Sequence, residues 1–304
     1  MQETEFLEQN RCRLCPRMCG ADRKNGERGF CGETSEIRAA RAALHMWEEP
    51  CISGTRGSGT VFFTGCVLRC AYCQNGNIAC GNTGKVISID RLAEIFIEQQ
   101  ERGAHNINLV TPTHFVPQIR EAIIKAKEKG LMLPIVYNTG SYENVETLRM
   151  LDGLVDIYLP DLKYYSSELS KKYSEAHNYF EVATAAIAEM VRQVGTAEFD
   201  EDGIMTKGVI VRHLLLPGCI EDSKKIIKYL YDTYGDDIYV SIMNQYTPMK
   251  GIEERYPELA NKVSYSEYDR LTDYAIDIGV ENGFIQEGDT AEESFIPDFD
   301  MEGI

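Results

Sequence analysis

Three thiols fall close together at Cys66, Cys70 and Cys73, within the segment Phe63-Thr-Gly-Cys66-Val-Leu-Arg-Cys70-Ala-Tyr-Cys73-Gln-Asn75. Three thiolates on one short loop suit a soft-metal centre. In an iron-sulfur cubane of four irons they leave one iron without a protein ligand, open to a substrate. The alternative is a zinc knuckle in which Cys80 adds a fourth thiolate and closes a tetrahedral site. Knuckles usually present paired Cys-x-x-Cys turns, whereas this loop directly follows an apolar run, Val61 to Phe63.

A second group comprises Cys12, Cys15, Cys19 and Cys31, with Pro16 and Gly20 shaping its loop. Four thiolates close a structural zinc site or hold an auxiliary iron-sulfur cluster, and zinc is the first reading. The remaining Cys51, Cys80 and Cys219 read as small core residues. Three charged residues also stand out. Asp161 and Lys163 follow an apolar run, and strand alternation turns both to one side. Arg212 interrupts the run Val209-Ile-Val-Arg-His-Leu-Leu-Leu-Pro217. A guanidinium buried there needs an anion or a buried salt bridge.

The elements that must position these groups show in the hydrophobic pattern. Apolar runs at Val61 to Phe63, Ile107 to Val110, Ile135 to Tyr137, Leu154 to Leu159, Val209 to Leu216 and Ile238 to Ile242 read as strands. Amphipathic segments lie between them, one with Ile89, Leu92, Ile95 and Phe96 on a face, another with Phe115, Ile119, Ala122, Ile123 and Ala126. A further helix is expected from about Ala176 to Val194. Gly130 and Gly235 sit where C-caps belong, and Ser264 with Glu267 has capping-box spacing. Short apolar strands alternating with helices predict an α/β fold, a parallel sheet in a partial (β/α)6 TIM-type barrel with chemistry at the strands' C-terminal ends. The expected organisation is a Cys-rich N-terminal extension over 1–55, the barrel over 56–284 and an acidic tail over 285–304, where Phe295, Ile296 and Phe299 favour docking over free solvation.

The 31 Lys and Arg against 48 Asp and Glu give a net charge of −17, which repels nucleic acid and anionic lipid. No apolar run approaches the roughly 20 residues that span a bilayer. The first residues, with Glu3, Glu5 and Glu8, lack the basic and apolar regions of a signal peptide. A cytoplasmic location is therefore expected, where ten cysteines stay reduced and serve as metal ligands rather than disulfides.

The cysteine loop, with Tyr72 just before its third thiol, resembles the cluster loop of the radical SAM superfamily. The runs Ser53-Gly-Thr-Arg-Gly-Ser-Gly-Thr60, Val110-Thr-Pro-Thr-His-Phe-Val-Pro117 and Val155-Asp-Ile-Tyr-Leu-Pro-Asp-Leu-Lys163 resemble members similar to pyruvate formate-lyase activating enzyme. The resemblance extends from about Cys12 to the C-terminus. It implies an oxidoreductase whose 4Fe-4S cluster, fed by a donor such as flavodoxin or ferredoxin, cleaves S-adenosylmethionine to a 5'-deoxyadenosyl radical. Hydrogen abstraction from a glycine of a glycyl radical enzyme is then the first expectation, with a peptide or small-molecule substrate as the alternative. A non-catalytic zinc-binding interaction protein is the reading from another class.

The resemblance also places residues around S-adenosylmethionine. Tyr72 adjoins the cluster. Thr111 and Thr113 stand where activating enzymes usually carry Gly-Gly-Glu, a departure. Asn138 and Thr139 border the ribose, Asp161 and Lys163 face the cofactor with Lys163 toward its carboxylate, and Arg212 offers that carboxylate a second cation.

Overall fold

Residues 107–110, 135–139 and 157–160 are buried at every position, which is why their apolar runs carry no polar alternation and form interior strands. The computed structural model describes residues 11–81, 83–286 and 297–304. Glu3, Glu5, Glu8, Phe295 and Ile296 lie outside the described residues.

The strands are β1 (Ile37–His45), β2 (Ser58–Phe63), β3 (Lys85–Ile87), β4 (Ile107–Val110), β5 (Ile135–Thr139), β6 (Ile157–Pro160), β7 (Glu198–Phe199), β8 (Met205–Leu214), β9 (Tyr239–Met243) and β10 (Gly283–Ile285). Their order is β10-β9-β8-β6-β5-β4-β2-β1-β3, with β7 paired to β8. Every pairing from β2 through β10 along this path is parallel. The pairings of β1 with β2, β3 with β1 and β7 with β8 are antiparallel. The sheet does not close, since β10 and β3 remain its ends. The six runs read from the sequence are β2, β4, β5, β6, β8 and β9.

The helices are α1 (Pro50–Ser53), α2 (Gly76–Ala79), α3 (Ile89–Glu101), α4 (Val116–Glu128), α5 (Val145–Arg149), α6 (Ser167–Ser174), α7 (Tyr179–Val194), α8 (Ile220–Tyr234), α9 (Ile252–Arg255) and α10 (Tyr265–Asp277). Ser264 and Glu267 form the full capping box of α10. Gly130 follows the C-cap of α4 at φ +100°, and Gly235 is the C-cap of α8 at φ +48°. The stretch expected to be one helix from Ala176 starts at Tyr179, after α6 has ended with Glu175 in the left-handed region. No helix of the described residues is long and apolar enough to cross a membrane.

The apolar faces of α3 and α4 cover the outer side of the sheet, packing in one core with Ile107 and Leu109. On the inner side Cys51 and Ile52 of α1 pack against Val136, Ile157, Leu159, Met205 and Ile210. The segment joining β1 to β2 thus plugs the barrel from the strands' N-terminal ends. The expected docking of the tail holds for Phe299, whose ring meets Phe62 at 5.5 Å. Beside it, Met301 N donates to Ala40 O (2.9 Å) and Ala42 N to Glu302 O (2.8 Å). Cys51 is buried and Cys219 half-buried, but Cys80, expected in the core, is exposed at the end of α2.

Candidate active site at the strand ends

Parallel strands bring their C-terminal ends to one edge, and the residues that follow β2, β4, β5 and β6 gather there. The loop after β2 carries Cys66, Cys70 and Cys73. Backbone bonds fold it tightly, Cys73 N to Cys70 O (3.1 Å) and Gly76 N to Cys73 O (3.0 Å). Arg17 holds it from outside, donating from Nε to Val67 O (2.8 Å) and from Nη2 to Ser174 O (2.9 Å). Its guanidinium also lies 4.1 Å from the Phe30 ring centre, which Arg69 approaches at 4.3 Å.

The three cysteines are half-buried, and hydrogen bonds reach two of their sulfurs. Ser174 Oγ donates to Cys70 Sγ (3.0 Å), and Leu68 N to Cys66 Sγ (3.4 Å). Burial pushes the Cys73 thiol up to about 12, and the neighbouring sulfurs add to the effect. Burial likewise raises Cys70, while the Lys163 ammonium pulls it back. Thiols so crowded lose their protons to a metal rather than to water. Three soft donors, bonds reaching two of the sulfurs, and a buried cation nearby make a donor set that fits an iron-sulfur cluster. Among the described residues no three His, Cys, Asp or Glu side chains converge on one metal ion. A cubane makes a different demand, because it spreads its thiolates over separate irons.

Tyr72 is buried beside the loop. Its ring stands edge-on to those of Tyr164, Tyr173 and Tyr246 at 6.3 to 6.4 Å, an aromatic cluster on one side of the loop.

Lys163, Asp161 and Arg212 form one chain of charges. Lys163 Nζ lies 2.6 Å from Asp161 Oδ2, and Arg212 Nε lies 2.9 Å from Asp161 Oδ1. Burial would raise Asp161, but the two cations hold it below the usual carboxylate range. Arg212 continues to Glu48 Oε2 (3.0 Å) and to Asn138 Oδ1 (2.6 Å). Glu48 Oε1 in turn accepts from Asn108 (2.9 Å) and Asn138 (3.2 Å). The anion that Arg212 required is therefore supplied by the protein twice over, by Asp161 and by Glu48. Glu49, beside it, is raised by burial despite Arg212, and its Oε2 is a buried atom with no partner. Neither glutamate was singled out from the sequence. The only signal was indirect, a buried arginine in want of acids.

The expected pair Thr111 and Thr113 separates. Thr111 closes β4 at φ +59°, a region that glycine enters freely and threonine rarely does. The backbone thus keeps the turn that a glycine would make, and Thr111 N donates to Asn138 O (2.9 Å). Thr113 caps nothing; its hydroxyl donates to Glu143 Oε1 (2.6 Å), as do Thr139 (2.5 Å) and Tyr137 (3.3 Å). Burial raises Glu143 against these three donors, and its Oε2 has no partner. Thr113 and Thr139 therefore serve a buried carboxyl that sequence reasoning missed.

The N-terminal thiols lie near one another. A side chain at Gly29 would meet both Cys19 Sγ and Cys31 Sγ at 3.4 Å, and Arg23 Nη1 is 3.8 Å from Cys12 Sγ. Burial pushes Cys15 up to about 12, with Cys12 and Cys31 adding to it. The group abuts the loop, because Cys66 N donates to Cys31 O (3.3 Å). Glu33 then receives Thr64 Oγ1 at 2.6 Å.

Comparison with known proteins bears on this arrangement. The profile of the Radical SAM superfamily matches residues 60–230, more than half of the chain. The uncharacterized protein MJ0674 of Methanocaldococcus jannaschii is 28% identical over 274 residues, 87% of this chain and 74% of that protein. Among solved structures, SuiB of Streptococcus suis bound to the precursor peptide SuiA matches with a TM-score of 0.51 at 14% identity, over 74% of this chain and 47% of SuiB. SuiB bound to S-adenosylmethionine matches with a TM-score of 0.49 at 16% identity, over 73% and 48%. The chain spans about half the length of the SuiB chains it matches, and the likeness is one of fold.

Proposed function

Because this chain belongs to the radical SAM superfamily, whose cofactors are a 4Fe-4S cluster and S-adenosylmethionine, we propose that Cys66, Cys70 and Cys73 hold that cluster and that the enzyme abstracts hydrogen from a backbone glycine of a protein partner. When bound, the cluster supplies one electron to the sulfonium, which divides into methionine and a 5'-deoxyadenosyl radical.

The chain's own residues bind and orient. Lys163, kept charged by Asp161, meets the methionyl carboxylate. Asp161 and Arg212 fix the direction of that ammonium. Thr111 N ties to Asn138 O, Asn138 holds Arg212 and Glu48 together behind that ammonium, and Tyr72 with its ring neighbours packs against the loop. Cys12, Cys15, Cys19 and Cys31 form a second metal centre, zinc in the first reading. The observation that carries the proposal is the grouping of three thiols on one loop beside a buried lysine. A sheet left open at its ends suits a polypeptide substrate. Modification of a free peptide is the second reading, supported by the shared fold with SuiB, which binds a precursor peptide.

Protein reconstituted anaerobically with iron and sulfide, then given a flavodoxin or ferredoxin as reductant and S-adenosylmethionine, is expected to release 5'-deoxyadenosine. Deuterated glycine in the true partner is expected to pass its label into that product. Lys163→Ala should weaken S-adenosylmethionine binding roughly tenfold or more, as for a lost charged hydrogen bond, with the cluster's visible absorption unchanged. A preparation with no labile sulfide, or a Lys163→Ala variant that binds as well as wild type, defeats these assignments.

A further inference from the structure

At the end of the barrel remote from the thiols lies a cavity of about 680 Å³, within the roughly 300–1,000 Å³ of small-molecule sites. Its walls come from residues just before strands: Arg56 before β2, His105 before β4, Ile204 before β8 and Tyr239 at the start of β9. Cys51 of the plug also lines it. Nothing in the chemistry proposed above uses this space.

One wall is aromatic. Tyr239 and Phe284 stack with ring centres 5.6 Å apart, and Phe199 meets Tyr239 edge-on at 5.3 Å, though it is 38% exposed. Such faces suit a planar ring.

The lining also carries an arginine set against a histidine. Arg56 Nη2 lies 3.0 Å from His105 Nδ1, and Arg56 backbone N lies 3.3 Å from His105 Nε2. A neutral imidazole accepts at one nitrogen and donates from the other, so both neighbours cannot be satisfied together. Burial, and then the Arg56 charge, favour that neutral form, with Asp200 and Asp202 opposing. Among the described residues no carboxylate is ion-paired with Arg56; Asp202 only lines the rim. An acceptor entering the cavity relieves the conflict by drawing the guanidinium away from the ring. Gly54 lets Ile204 and His105 pack directly on its backbone, since its φ is +48° and a Cβ there would lie 2.5 Å from Ile204 Cδ1 and 2.7 Å from His105 Nε2.

We propose that this cavity is a second binding site, taking a small ligand with a planar ring that stacks on Tyr239 and Phe284 and an anionic group that pairs with Arg56. The net charge of −17 opposes anions generally, so ring and anion must act together.

Calorimetric titration of the reconstituted full chain tests this with three probes: indole-3-acetate, GMP and inorganic phosphate. One saturable site is expected for indole-3-acetate or GMP, and the better of the two identifies the anion as carboxylate or phosphate ester. Arg56→Gln and Tyr239→Ala should each weaken it at least tenfold. S-adenosylmethionine in excess should not displace it, and a Cys66→Ala chain without its cluster should bind unchanged, which separates this site from the thiol loop. Saturation by phosphate alone, absence of saturation by both ring-bearing probes, or an Arg56→Gln variant that binds like wild type overturns the proposal. Phe199→Ala, at an exposed position of the lining, should also weaken the ring-bearing probe, and unchanged binding in both this variant and Tyr239→Ala overturns the proposal.

Discussion

The two cysteine groups touch through the bond from Cys66 to Cys31, yet their surroundings differ in kind. Around Cys70 stand a lysine tied into a chain of buried charges and a serine hydroxyl on the sulfur. Around the N-terminal group, Arg23 approaches Cys12 and helps offset the burial that raises Cys31. One group has three thiols on one loop beside a lysine paired to Asp161; the other brings four thiols from a separate stretch of chain, and as proposed above these would close a site of their own. Ligand number, more than proximity, separates a centre with an open position from a closed one.

The hardest way to break that contrast is to delete one thiol from each side. Cys70→Ala is expected to bring deoxyadenosine production to background and to remove the loop's iron. Cys19→Ala should remove the second metal but slow turnover by less than about a hundredfold, the range of effects seen for groups that support a site. Metal analysis beside product yield distinguishes the two, and equal loss of activity would erase the contrast.

Glu48 offers a sharper test, because it reaches Lys163 only through Arg212 and Asp161. Glu48→Ala leaves a buried guanidinium with Asp161 as its remaining acid and should cost about 1–3 kcal/mol of stability, measured by denaturant unfolding. S-adenosylmethionine affinity should fall with it while the metal at Cys12, Cys15, Cys19 and Cys31 stays at full occupancy. An unchanged affinity would mean that the charge chain serves folding alone.

The smallest effect is in pH. His213 bridges Leu162 O (2.7 Å) and Ser223 Oγ (2.8 Å), and burial lowers its pKa to about 4. The unfolded chain takes up this proton near pH ~6.5. Its contribution is therefore whole above that value and is lost as pH falls toward 4, at about 1.4 kcal/mol per unit. His213→Gln should flatten the unfolding free energy across this window, and an unaltered slope would refute the assignment.

The strands that build the sheet's centre were legible because both of their faces are buried and their sequences are mostly apolar. β1 was not. Ile37-Arg-Ala-Ala-Arg-Ala-Ala-Leu-His45 is rich in alanine, a helix former, and becomes a strand by pairing with β2. The thiol loop was legible from spacing alone. Glu48, Glu49 and Glu143 were not, since their partners lie on other strands and no local periodicity marks them. Arg212 and Glu48 are 164 residues apart, and the sequence could say only that such an arginine needs company. Thr113 shows the reverse, a residue singled out from the sequence that turns its hydroxyl to Glu143 instead.

The pairing of Met301 and Glu302 with β1 has a consequence for solubility. β3 covers β1 at residues 37–39, and Met301 and Glu302 take over at 40–42, so this stretch of β1 shows no free ladder. Trimming those few residues would bare the carbonyl of Ala40 and the amide of Ala42 beside the ring of Phe62. Such a fringe of unpaired groups next to an apolar ring is what invites another chain to add itself, and self-association on truncation follows from that.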